Sequence, residues 1–76
     1  MADEQLDLRG MAPGERGELV REAFEQLDTG EVLGVVSDID PHPMYYELTA
    51  EKPIDEEESE IQERDGGLFA AWFVRA

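Results

Sequence analysis

Only two stretches of this 76-residue chain, residues 32–36 and 68–74, are close to continuously apolar, and both are too short to be anything but strands. Residues 32–36 are nearly all β-branched or aliphatic, which predicts a central strand covered on both faces or nearly so. Residues 68–74 alternate two apolar sets, Leu68, Ala70, Trp72 and Val74 against Phe69, Ala71 and Phe73. That predicts a second central strand, with Trp72 and Phe73 in the core. Everything else must be arranged around these two segments.

The remaining apolar residues are sparse but ordered. Leu19, Val20, Ala23, Phe24 and Leu27 recur at helical spacing and predict one apolar stripe on a helix over residues 13–27. Pro13 suits the first helical turn, where its missing N–H is no loss. Glu15 and Glu18 lie near the positive helix end. Asp28-Thr29-Gly30 stops the helix, with Gly30 free to turn left-handed. Residues 5–8 alternate polar and apolar as a short first strand. Met44, Tyr45 and Leu48 mark one face of a short second helix that ends before Pro53. Adjacent Tyr45 and Tyr46 point about 100° apart on a helix, one toward the core and one toward solvent. Residues 54–64 read as an acidic edge strand protected by its charge. Asp65-Gly66-Gly67 reads as the hairpin turn that follows.

The expected order is β-α-β-α-β-β. It predicts an α+β fold, a two-layer α/β sandwich with a four-stranded mixed sheet and two helices on one face. The first β-α-β unit should be a right-handed parallel crossover. Residues 1–76 form a single domain, too small to enclose an enzyme-sized cavity.

Charge narrows the function. There are 20 acidic and 6 basic residues, a net charge of -14. Such a surface repels nucleic acid phosphates and anionic lipid, so neither is an expected partner. The acid is spread along the chain and Lys52 is the single lysine, which favours adaptation to a high-salt cytoplasm over a dedicated basic partner. The chain has no cysteine, which removes disulfides, thiolate nucleophiles and thiolate metal sites together. The polar start, residues 1–6, does not read as a leader, no apolar run approaches a membrane span, and the expected location is the cytoplasm.

Several motifs occur together. They are Asp7-Leu8-Arg9-Gly10, Pro13-Gly14-Glu15-Arg16, Phe24-Glu25-Gln26-Leu27 and Asp38-Ile39-Asp40-Pro41-His42-Pro43, followed by Met44-Tyr45-Tyr46. This set resembles the TusA-like superfamily, and within it the uncharacterised family catalogued as domain of unknown function 2249. The resemblance by motif spans about residues 6–48 and implies the same β-α-β-α-β-β fold. TusA-like sulfur carriers place a cysteine before the first helix proline, where a helix N-terminus stabilises a thiolate or persulfide. The matching position here is Ala12, so the resemblance does not extend to sulfur transfer. Relatives of the uncharacterised family carry histidines where this chain has Gly17 and Ile39, and some are fused to hemerythrin-like domains. That implies a redox or nitric-oxide context for the family.

Candidate site residues follow from the motifs. Arg9 and Arg16 flank the loop before the first helix and would either hold an anion there or pair with nearby carboxylates. Asp38, Asp40 and His42 alternate in one loop and would either ligate a divalent metal or form an Asx turn and helix cap. The exposed tyrosine, expected at Tyr46, would join a binding patch. No nucleophile–base pair and no phosphate loop is visible, and no cofactor is expected. The leading expectation is a non-catalytic binding domain with a protein partner. Its surface would join the Arg9–Arg16 turn to the loop around Asp38, Asp40, His42 and Tyr46. The alternative is a small-ligand or metal-binding accessory to redox metabolism through Asp38, Asp40 and His42.

The charge yields a first prediction. At about 1 M salt the Debye length falls to about 3 Å, which screens self-repulsion. The thermal midpoint, followed by circular dichroism, is expected to rise between about 0.1 M and 2 M NaCl. A midpoint independent of salt would show that the carboxylates are not repelling one another in the folded state.

Overall fold

The computed structural model describes residues 4–76; residues 1–3, part of the segment read as a non-leader start, lie outside the described residues. The order is β1 (Glu4–Asp7), α1 (Pro13–Glu25), β2 (Val32–Ser37), α2 (His42–Glu51), β3 (Glu60–Arg64) and β4 (Leu68–Val74), with one 3-10 turn, Asp65–Gly67, between the last two strands. The sheet order is β1-β2-β4-β3. β1 pairs parallel with β2, while β4 runs antiparallel to both β2 and β3. This is the expected α+β sandwich, and both apolar strands are central.

The core lies between the sheet and the helices. Val20, Phe24 and Leu27 from the first helical stripe meet Leu8, Leu33, Val35, Leu48, Ala71 and Phe73. α1 stops two residues earlier than its apolar stripe. Gln26 and Leu27 continue as a turn, with Leu27 N–H donating to Phe24 O at 3.1 Å. Leu27 is therefore buried just beyond the helix. Gly30 then takes φ 87°, the left-handed conformation expected there.

Two expectations fail on one point, the helix-free face of the sheet. The apolar run of β2 predicts cover on both faces or nearly so, yet its residues alternate, with Leu33 and Val35 buried and Val36 39% exposed. Trp72 and Phe73 are both expected in the core, but only Phe73 is fully buried. Trp72 sits opposite Glu60 and Gly34 on the outer face, half-buried, with the Arg64 guanidinium 5.8 Å from its ring centre. The physical reason is supply: two helices cover one face of the sheet. The other face keeps an apolar strip with a groove of about 290 Å3 beside Gln5, Gly34 and Trp72.

The acidic segment is also shorter as a strand than its sequence suggested. Pairing begins at Glu60, while Ile54 makes only an isolated bridge to Arg75. Asp55 organises the gap: its carbonyl accepts from Ser59 Oγ at 2.7 Å, and Ser59 Oγ accepts from Val74 N–H at 2.9 Å. β3 is an edge strand, as expected.

The core is one thin layer, so single large residues carry much of the stability. A chain of this length has roughly 4–11 kcal/mol in total. Phe24→Ala is expected to cost about 3–5 kcal/mol in urea denaturation. A loss below about 1 kcal/mol would mean that the layer collapses around the vacancy.

Candidate functional site

The chain reversals after β1 and β2 lie at the carboxyl ends of two adjacent parallel strands, the end where open α/β sheets bind ligands. The Asp7-Leu8-Arg9-Gly10 motif builds the first reversal. Asp7 Oδ1 accepts from the Arg9 N–H at 3.1 Å and from Arg9 Nε at 2.9 Å, and Oδ2 receives Arg9 Nη2 at 2.7 Å. This is an Asx turn closed by a two-pronged ion pair. Gly10 follows at φ 78°, a conformation that suits glycine. Both partners of the pair are exposed, so it orders the turn more than it stabilises the fold.

The Arg16 side chain joins the two reversals. Pro13 starts α1, and one turn later Arg16 is 4% exposed. Its Nε donates to Met11 O at 2.7 Å, its Nη1 to Ser37 Oγ at 3.2 Å, and its Nη2 pairs with Asp38 Oδ1 at 2.7 Å. Asp38 Oδ2 accepts from the Gly10 N–H at 3.1 Å. The Ser37 hydroxyl also accepts from the Ile39 N–H at 3.0 Å and donates to Ile39 O at 2.7 Å. Its one donor and two acceptor positions are thus all used. Arg9 and Arg16 both take the pairing role, and Arg16 does so inside the fold. Ser37, Gly10 and Met11 belong to this network although none of them is among the candidate site residues that the motifs suggest. The available signal was a serine at the end of an apolar strand, immediately before an aspartate.

The second loop divides its side chains between two tasks. Asp38 faces back to Arg16 and Gly10. Asp40 Oδ1 accepts from the His42 N–H at 3.0 Å and meets His42 Nδ1 at 2.6 Å, which turns the chain into α2. Asp38, Asp40 and His42, weighed above as a divalent-metal set, are therefore split between separate networks. Among the described residues no three histidine, aspartate or glutamate side chains are grouped to hold a metal ion.

Beyond His42 the rings of α2 follow. Tyr45 stacks on Phe73, centroids 5.6 Å apart, while Tyr46 is 64% exposed. His42, Tyr45, Tyr46, Ser59, Glu60 and Ile61 line a cleft of about 240 Å3 between α2 and β3.

The carboxylates of the rim titrate low. The Arg9 side chain, then the Arg9 N–H, brings the Asp7 pKa down from 3.8 to about 2. Arg16, then the Gly10 N–H, lowers that of Asp38, and the His42 backbone and ring lower that of Asp40. A lowered carboxylate contributes stability above its unfolded pKa and loses it as pH falls through its folded pKa. For Asp7 the loss is complete only below about 2. The other carboxylates act in the opposite sense, since protonating them relieves the net charge of -14. A residue-resolved carboxyl 13C titration separates the two effects. It is expected to give Asp7 a midpoint of about 2, moving back toward 3.8 in Arg9→Gln.

The buried guanidinium makes a second test. Arg16→Met keeps much of the side-chain volume but removes three polar contacts. It is expected to lower stability by about 2–3 kcal/mol in urea denaturation, with the Gly10 and Ile39 amides exchanging faster.

A family model described as an uncharacterized conserved protein (DUF2249) matches residues 5–75. No curated protein and no solved structure matches the chain.

Proposed function

This chain belongs to the DUF2249 family, and from its exposed surface we infer a non-catalytic binding domain that docks a protein partner on the rim around the β2–α2 loop. One observation carries this reading. The large hydrophobic side chains most exposed among the described residues are Val36, Ile39 and Tyr46, at 39%, 47% and 64%. Ile39 and Tyr46 lie in the β2–α2 loop and on α2, at the rim, while Val36 lies near the end of β2 on the helix-free face of the sheet. The Arg16 network holds the backbone under Ile39, so this apolar group is presented on a fixed support, which lowers the ordering cost of binding.

The family's motif residues fit a supporting role. Asp7, Arg9, Arg16, Asp38 and Asp40 spend their polar groups on one another and on nearby backbone. Ile39, His42 and Tyr46 are the groups left to meet a partner. Ala12 precedes α1 where sulfur carriers have cysteine, and the chain has no thiol with which to carry sulfur. The β-α-β-α-β-β order is compatible with the TusA-like resemblance, and the binding role does not depend on sulfur chemistry. The acidity fits a salt-rich cytoplasm in which nucleic acid and anionic membrane are not partners. No helix among the described residues is long and apolar enough to cross a membrane.

The test is cross-linking capture from the source lysate at high salt, comparing the parent chain with Ile39→Glu and Tyr46→Glu. One protein recovered in stoichiometric amount, and lost with either variant while the thermal midpoint is unchanged, is the expected result. Equal recovery by the variants would remove the rim as the docking surface.

A further inference from the structure

The cleft beside the rim has a chemistry of its own. Its rings form a continuous series from the core to solvent. Tyr45 lies on Phe73 with an interplanar angle of 29°, Tyr46 tilts 58° to Tyr45 at 5.8 Å, and His42 tilts 42° to Tyr46 at 6.3 Å. Three of these rings, His42, Tyr45 and Tyr46, line an open space of about 240 Å3. The face of an aromatic ring carries the negative part of its quadrupole and attracts cations.

The surrounding charge has the same sign. Burial pushes the Tyr45 hydroxyl above its ordinary pKa, and the carboxylate of Glu56 adds to the push, so its charge reaches this ring. Glu60 borders the cleft at the start of β3, with its carboxylate turned to the outer face of the sheet, where it accepts from Gln62 Nε2 at 3.1 Å. The chain's lysine and arginines are engaged elsewhere, while His42, within the cleft, faces the Asp40 carboxylate with its Nδ1. Arg9 pairs with Asp7, Arg16 with Asp38, Arg21 with Glu51 and Lys52 with Glu25. Arg64 lies over Trp72, and Arg75 donates to Leu27 O. None of these six lines the cleft.

We propose that the cleft formed by His42, Tyr45, Tyr46 and Ile61 binds an organic cation, the ammonium or guanidinium head of a free amine or of a partner's basic side chain. The proposal deepens the binding role of the rim and rests on it only where the cation belongs to a partner. A neutral apolar group gains nothing from the ring quadrupoles or the Glu56 charge, and an anion is repelled by both. The exposed Tyr46 ring supplies the outer wall, so the site remains open to a head group carried on a chain.

The experiment is an NMR titration of the full chain with tetramethylammonium chloride and, separately, with N-acetyl-arginine amide. Neopentyl alcohol serves as the neutral isostere of tetramethylammonium. About 1 M NaCl screens the diffuse field of the carboxylates and leaves short-range contacts. Saturable shifts confined to His42, Tyr45, Tyr46 and Ile61, weakened about threefold or more by Tyr46→Ala, are expected. Saturation by tetramethylammonium would support a free amine as the source; saturation by the arginine amide alone would support a partner's side chain. Equal shifts with neopentyl alcohol, shifts dispersed over the acidic surface, or shifts unchanged in Tyr46→Ala would each overturn the proposal. None of these outcomes depends on the captured protein, so the cleft and the rim can fail separately.

Discussion

The rim depends on one buried cation. Desolvating a guanidinium costs several kcal/mol unless its donors are satisfied. Arg16 meets that condition with three partners on two separate stretches of chain: the Met11 carbonyl on one, and the Ser37 hydroxyl and Asp38 carboxylate on the other. The first belongs to the β1–α1 loop, the second to the end of β2 and the third to the β2–α2 loop. Satisfying the charge therefore requires all three to be in place together, and Gly10 then closes on Asp38 from the other side. A hydrophobic residue at this position would pack α1 onto the sheet but would not register the two loops.

The rest of the molecule divides along the sheet. Its helix side holds the whole core, one layer deep, with Phe24 and Phe73 the largest fully buried side chains. Its other side carries Val36, Trp72 and their neighbours without a helix to cover them. Acidic residues take up much of the remaining surface. The net charge of -14 opposes compaction, while the short-range pairs of Arg9, Arg16 and Lys52 hold particular loops and helices in place. Long-range repulsion and local pairing thus act at different distances, and salt weakens the first more than the buried part of the second.

The same division explains why the motifs look chemical and act structurally. Alternating Asp38, Asp40 and His42 resembles a ligand set when read in one dimension. In the fold, the reversal after β2 sends Asp38 to the first loop and leaves Asp40 to start α2. The proposed recognition surface is therefore aromatic and aliphatic rather than charged: Ile39, and Tyr46 with the cleft it lines.

Much was legible from the sequence because it depends on neighbours along the chain. The two central strands, the first helical stripe, Gly30 as a left-handed stop and the opposite fates of Tyr45 and Tyr46 all follow from residue period or backbone sterics. Tertiary structure decided three matters. It assigned Arg16 a buried pair rather than an anion, left Trp72 on an open sheet face, and shortened the acidic strand to Glu60–Arg64. Each depends on which segments meet in space. A local pattern records whether a residue can be buried; the number of helices available to cover a sheet, and the partner a charge will meet, are set only when distant segments pack.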